Sequence, residues 1–156
     1  MEHHEHHHTA VNTSWRTAAS ATLHCLTGCA IGEVLGMVIG TALGWGIMPT
    51  IALAVALAFV FGYAFTMRGV LKAGVAFGAA LQVALVADTL SITIMEIVDN
   101  AIMLLVPGAM DAHIDSLLFW GALTFALTVA FFAAWPVNRW LISRGRGHAV
   151  VHQYHH

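Results

Sequence analysis

The run Ile51-Ala-Leu-Ala-Val-Ala-Leu-Ala-Phe-Val-Phe-Gly-Tyr-Ala-Phe-Thr-Met67 holds 17 consecutive residues without a charge. A bilayer core about 30 Å thick offers backbone groups no water, so a crossing chain takes helical form and needs about 20 mostly apolar residues. With Pro49 and Thr50 in front, this run has that length. Working outward, three further apolar stretches appear, at residues 18–45, 70–106 and 117–142. Gly44-Trp45-Gly46 and Pro49 close the first, Arg68-Gly69 the second, and Pro107-Gly108 with Asp111, His113 and Asp115 the third. The fourth runs out at Asn138-Arg139.

Composition agrees with a lipid solvent. The 156 residues are 59% hydrophobic and 9% charged, far from a soluble domain. A net charge of −2 without a basic stripe gives no footprint for nucleic acid. No cleavable secretory leader is visible at the N-terminus. The expected fold is an all-α membrane protein, a four-helix transmembrane bundle with a long or broken third helix. Residues 1–14 are expected as a His-rich cytoplasmic tail, 15–142 as the transmembrane domain, and 143–156 as a basic, His-rich cytoplasmic tail.

Orientation follows from the basic residues, because Lys and Arg are retained on the cytoplasmic side. Arg16 precedes the first stretch, Arg68 and Lys72 divide the second from the third, and Arg139, Arg144 and Arg146 follow the fourth. Four crossings place all six on one side and both termini in the cytoplasm. The third stretch is awkward: its 37 residues would make a straight helix of about 55 Å. A break at Asp88-Thr-Leu-Ser91 would relieve this, since Thr93 and Glu96 have capping-box spacing. If the piece after such a break re-entered and returned, three arginines would lie outside, which the charge rule disfavours.

Two stripes run down the first stretch at four-residue spacing. His24, Gly28, Gly32, Gly36, Gly40 and Gly44 form one, and Cys25, Cys29, Glu33 and Met37 the other. Aligned small residues let helix backbones approach where lipid offers no hydrophobic drive, so the glycine stripe reads as helix packing. The second stripe, with His24 beside it, mixes thiol, carboxylate, thioether and imidazole. That set suits a transition-metal ion, Cu(I) or Zn(II). The plain alternative is packing, since free Cys and Met are common core residues.

The third stretch adds Asp88, Ser91, Met95, Glu96, Asp99, Asn100 and Met103. Asp88, Glu96, Asp99 and Asn100 are the candidates for a second cation or proton site, because ionisable groups within a span usually face a bundle interior or wet cavity. No Lys or Arg lies at their depth to pair with them. Glu96 and Asp99 as solvated residues beyond the bilayer is the bland reading. The histidines at both ends, His3, His4, His6, His7, His8, His148, His152, His155 and His156, read as metal capture on flexible tethers, or as an added tag.

The runs Ser14-Trp-Arg16, Ala21-Thr-Leu-His-Cys-Leu-Thr-Gly-Cys-Ala-Ile-Gly-Glu33, Met95-Glu-Ile-Val-Asp-Asn100 and Pro136-Val-Asn-Arg-Trp140 resemble a bacterial membrane family of unassigned function, domain-of-unknown-function family 4396. The likeness covers nearly the whole chain apart from its tails. It implies a multi-pass protein of the bacterial inner membrane and carries no activity.

Function at this level therefore rests on the residues. A protein that binds and transports a metal cation fits them best. It would have no nucleotide cofactor, since no phosphate-cradling loop is present. Its partners would be the lipid bilayer and a homo-oligomer or larger membrane complex. Two alternatives stand beside it: a scaffold or assembly subunit that packs through the glycine stripe, and an intramembrane thiol redox protein using Cys25 and Cys29. The last is disfavoured because thiols four apart on a helix meet disulfide geometry poorly. No other enzymatic constellation is evident.

Overall fold

A computed structural model describes residues 6–143 apart from 73 and 75. These residues form four α-helices: α1 (His6–Ala42), α2 (Ile47–Lys72), α3 (Phe77–Leu105) and α4 (Leu117–Ser143). Stretches of three of them, Trp15–Ala42, Ile47–Gly69 and Leu117–Leu141, are long and apolar enough to cross a membrane. The fourth, α3, has 29 residues and carries Asp88, Glu96 and Asp99 along its length.

Several boundaries differ from those read in the sequence. The chain does not break at 88–91: α3 is continuous there, and the Thr93 hydroxyl donates back to the Thr89 carbonyl instead of capping a new helix. The turn falls earlier. Arg68-Gly69 does not stop α2, since a helical glycine costs only about 1 kcal/mol, and the helix continues to Lys72. Gly74, with φ +84°, lies between α2 and α3. The long third stretch is thereby divided between two helices. The other turns fall where expected, with Gly44 (φ +68°) after α1 and Gly108 (φ +80°) after α3. Helix α1 begins at His6, so it takes in much of the segment read as an N-terminal tail.

Helix α1 packs on α2, α2 on α3, α3 on α4 and α4 on α1, which closes a ring. Among the described residues, the backbones of α1 and α3 also approach each other across the ring, whereas those of α2 and α4 do not. The α1–α2 contact is built from small residues. A Cβ added to Gly28 would lie 2.9 Å from the Gly62 backbone, and one added to Gly32, Gly36 or Gly40 would overlap Ala58, Ala54 or Thr50. Both helices thus step by four in opposite directions, and α2 answers the glycines with Thr50, Ala54, Ala58 and Gly62. The glycine stripe packs on the chain's own α2. A scaffold reading would need another face.

Exposed apolar side chains such as Val60, Phe125 and Phe132 cover the outside of the bundle, as expected of a surface solvated by lipid. Tryptophans gather at its two ends. Trp15 and Trp135 stand edge to face at 5.5 Å, with the Arg139 guanidinium 3.8 Å from the Trp15 ring centroid. At the other end the Trp120 indole donates to the Ile114 carbonyl at 2.6 Å.

Candidate polar column

With its glycine stripe on α2, α1 turns the neighbouring stripe toward α3. Cys25, Cys29, Glu33 and Met37 are all buried, and so are Asp88, Met95, Glu96, Asp99 and Met103 of α3. Because α1 and α3 run parallel, these residues meet in ascending order. Cys25 Sγ donates to Asp88 Oδ1 at 3.3 Å. Cys29 lies beside Glu96, and Glu33 beside Asp99 with Glu96 near. Met37 and Met103 share one apolar cluster beyond them. The two ligand groups read separately in the sequence, one per helix, are thus interleaved as cross-helix pairs.

Helix α4 closes the column at the Cys25 end. Asn138 Nδ2 donates to Thr22 Oγ1 at 2.8 Å and to Ser91 Oγ at 3.0 Å, joining three helices through one amide. Thr22 in turn donates to the Ala18 carbonyl at 2.7 Å. From Thr22 to Met37 the column covers about 22 Å along α1, most of a bilayer core.

The middle of the column is short of hydrogen-bond donors. Glu33 is 0% and Asp99 1% exposed, and among the described residues their four carboxyl oxygens have no hydrogen-bond donor unless one carboxyl is protonated and donates to the other. Asn100 donates to the Glu96 carbonyl at 2.9 Å and to Glu96 Oε2 at 3.3 Å, while its own Oδ1 has no partner among the described residues. Glu96 and Asp99 are therefore buried in the bundle, not solvated beyond it. Among the described residues, no three His, Cys, Asp or Glu side chains stand together in a geometry that could hold a metal ion. The donors lie in pairs.

His24 departs from its expected place. It belongs to the glycine stripe, so it is exposed on the α2 side, with its ring edge-on to Phe65 at 6.3 Å. It is not grouped with Cys25 and Cys29. Both cysteines are free, and each faces a different carboxylate. His3, His4, His148, His152, His155 and His156 lie outside the described residues, as do the side chains of His6, His7 and His8.

Two members of the column were not read from the sequence. Asn138 looked like the end of the fourth stretch, yet it is 2% exposed and α4 continues to Ser143. Thr22 looked like an ordinary helical threonine. The available signal for Asn138 was an amide followed by the apolar Leu141 and Ile142, and for Thr22 its spacing of three from Cys25.

A family model described as a domain of unknown function, DUF4396, matches residues 14–147. The chain belongs to that family. No curated protein matches it, and no solved structure does. The DUF4396 match runs from just before Trp15 to beyond α4, so it takes in every residue of the column.

Proposed function

We propose that this DUF4396 protein crosses the bacterial inner membrane four times, with both ends in the cytoplasm, and binds a transition-metal cation in the α1–α3 seam for passage across the bilayer. The observation that carries the reading is the Glu33–Asp99 pair, two buried carboxyl groups on facing helices that, among the described residues, have no donor other than a proton shared between them. An ionised carboxylate held away from water costs several kcal/mol unless a positive charge or hydrogen bonds compensate it. Of the described basic residues, Arg68, Lys72 and Arg139 lie in the last two turns of α2 and α4, and Arg16 lies 17 residues, about 25 Å, along α1 from Glu33. A bound cation or a proton must then satisfy the pair.

Cys29 beside Glu96 favours a transition metal over an alkali cation, since a thiolate is a soft ligand. Cys29, Glu33, Glu96 and Asp99 are the ligands in this reading. The metal would draw the two pairs together, and its charge would offset theirs. Four crossings are supported by the gathering of Arg16, Arg68, Lys72 and Arg139 at one end of the helices.

Co(II) added to the detergent-solubilised full chain tests the site, because a cobalt–thiolate charge-transfer band reports cysteine ligation and the His-rich ends contain no thiol. The band is expected in the parent, absent from Cys29→Ser and weakened in Glu33→Gln. A parent without it ends the metal reading. For passage, oriented vesicles loaded with a metal-sensitive dye should take up or release metal faster than empty vesicles. Rates unchanged by Glu33→Gln would exclude this path.

A further inference from the structure

One helical turn beyond the Glu33–Asp99 pair, away from the cysteines, three methionines belong to or border one apolar cluster. Met37 of α1 and Met103 of α3 are 7% and 0% exposed and belong to one cluster. Met110, from the connection between α3 and α4, packs against the same cluster. These three come from separate parts of the chain, at positions 37, 103 and 110. In contrast, Met48 is 65% exposed.

We propose that Met37, Met103 and Met110 form a second site, for a soft monovalent cation of the Cu(I) class, at the end of the column opposite Asn138. This inference rests on the cation-binding reading above and narrows its substrate. Thioethers are neutral, weak ligands for hard or borderline ions, and they select Cu(I) from the first-row metals. Three of them provide a low-coordinate site without charge, which suits an ion arriving from or leaving to the medium. The 106–116 connection, which contributes Ala109 and Met110 to this packing, also carries exposed Asp111, His113 and Asp115. Inward lie the Glu33–Asp99 carboxyls and the thiols of Cys29 and Cys25. A soft ion thus finds sulfur on both sides of the carboxyl layer. Five sulfur side chains are buried among the described residues, and all belong to α1 and α3. The core faces of α2 and α4 carry Ala54, Ala58, Ala122, Ala126, Ala130 and Ala134 instead.

Methionine also fills irregular gaps, so the test must see the metal on the sulfur atom. The probe is Cu(I), added anaerobically to full-chain protein in which every methionine is selenomethionine, with X-ray absorption recorded at the copper edge. Copper–selenium scattering reports methionine ligation and is blind to cysteine and to the His-rich ends. It is expected in the parent. It should disappear in the Met37→Leu, Met103→Leu, Met110→Leu triple variant, which nearly keeps side-chain volume and whose retained fold is checked by its helical circular dichroism. Competition against a soluble Cu(I) chelator should show affinity falling about tenfold or more in the same variant.

Absent copper–selenium scattering in the parent, or scattering unchanged in the triple variant, overturns the site. If it is absent while Co(II) still gives its thiolate band, the methionine site fails and the seam site survives. If it is present while no thiolate band forms, the methionine site stands and the seam reading fails.

Discussion

Gly32 of α1 lies so close to Ala58 of α2 that a methyl group on Gly32 would overlap the Ala58 backbone. The same register places Gly36 on Ala54 and Gly28 on Gly62, so the whole α1–α2 contact depends on side chains no larger than these. Gly32→Leu and Gly36→Leu should each destabilise the protein by about 1–3 kcal/mol or more, the range for overpacked sites. Gly121→Leu, where an added Cβ meets nothing within 4 Å, should be nearly neutral. Unfolding in mixed micelles measures the difference, and equal stability at Gly32 and Gly121 would contradict the packing.

Asn138 should couple energetically to Thr22, more than a hundred residues away in the chain. Asn138→Leu removes the amide from two buried hydroxyls and is expected to cost about 1–3 kcal/mol. In a cycle with Thr22→Val, the two changes should fall short of additivity by about 0.5 kcal/mol or more. Strict additivity would show that α1 and α4 do not share this bond.

Sidedness can be read by attaching a polar thiol reagent to cysteines introduced at exposed positions. Asp111→Cys and Gly46→Cys should react from outside the cell, and Gly69→Cys and Ser143→Cys only once the inner face is opened. The native thiols are a small background, because Cys25 is 0% and Cys29 1% exposed. Reaction of Ser143→Cys from outside would reverse or break the four-crossing arrangement.

Thiol counting separates the metal reading from the redox one. Cys25 faces Asp88 and Cys29 faces Glu96, so the protein purified without reductant should release two free thiols on unfolding and almost none before it. An internal disulfide in that preparation would favour a redox protein and count against both thiols as ligands.

Occupancy should also change stability. A cation that binds the folded seam and not the unfolded chain adds about 2.7 kcal/mol at a concentration 100 times its Kd. Micellar unfolding with and without Co(II) should show this gain in the parent and a clearly smaller one in Glu33→Gln. An equal gain in both proteins would place the ion elsewhere, the His-rich ends included.

Much of this molecule was legible in the chain itself, because hydropathy and helical period are local properties. The membrane solvent, four helical stretches, two of the three turn regions and the placement of the glycines against a helix all followed from residues within one stretch. So did the inward placement of Cys25, Cys29, Glu33 and Met37, since they border that glycine stripe. Where reading stopped, the cause was a non-local contact or a weak local preference. The end of α2 depended on whether Gly69 or Gly74 breaks the helix, and glycine spacing alone does not decide between them.

The pairing across the seam belongs to the tertiary structure. Sequence placed Cys25, Cys29, Glu33 and Met37 of α1 on one face and the acidic residues of α3 on another, but it did not set the axial register between two parallel helices. That register brings Cys25 to Asp88 and Glu33 to Asp99, and it is set by how α1 seats on α2 and how α3 meets both. His24 was lost from the group for the same reason: one residue along a helix is about 100° of rotation, enough to turn it from the α3 seam to the α2 side. Asn138 was gained because only the closing of the ring by α4 could bring its amide to Thr22 and Ser91.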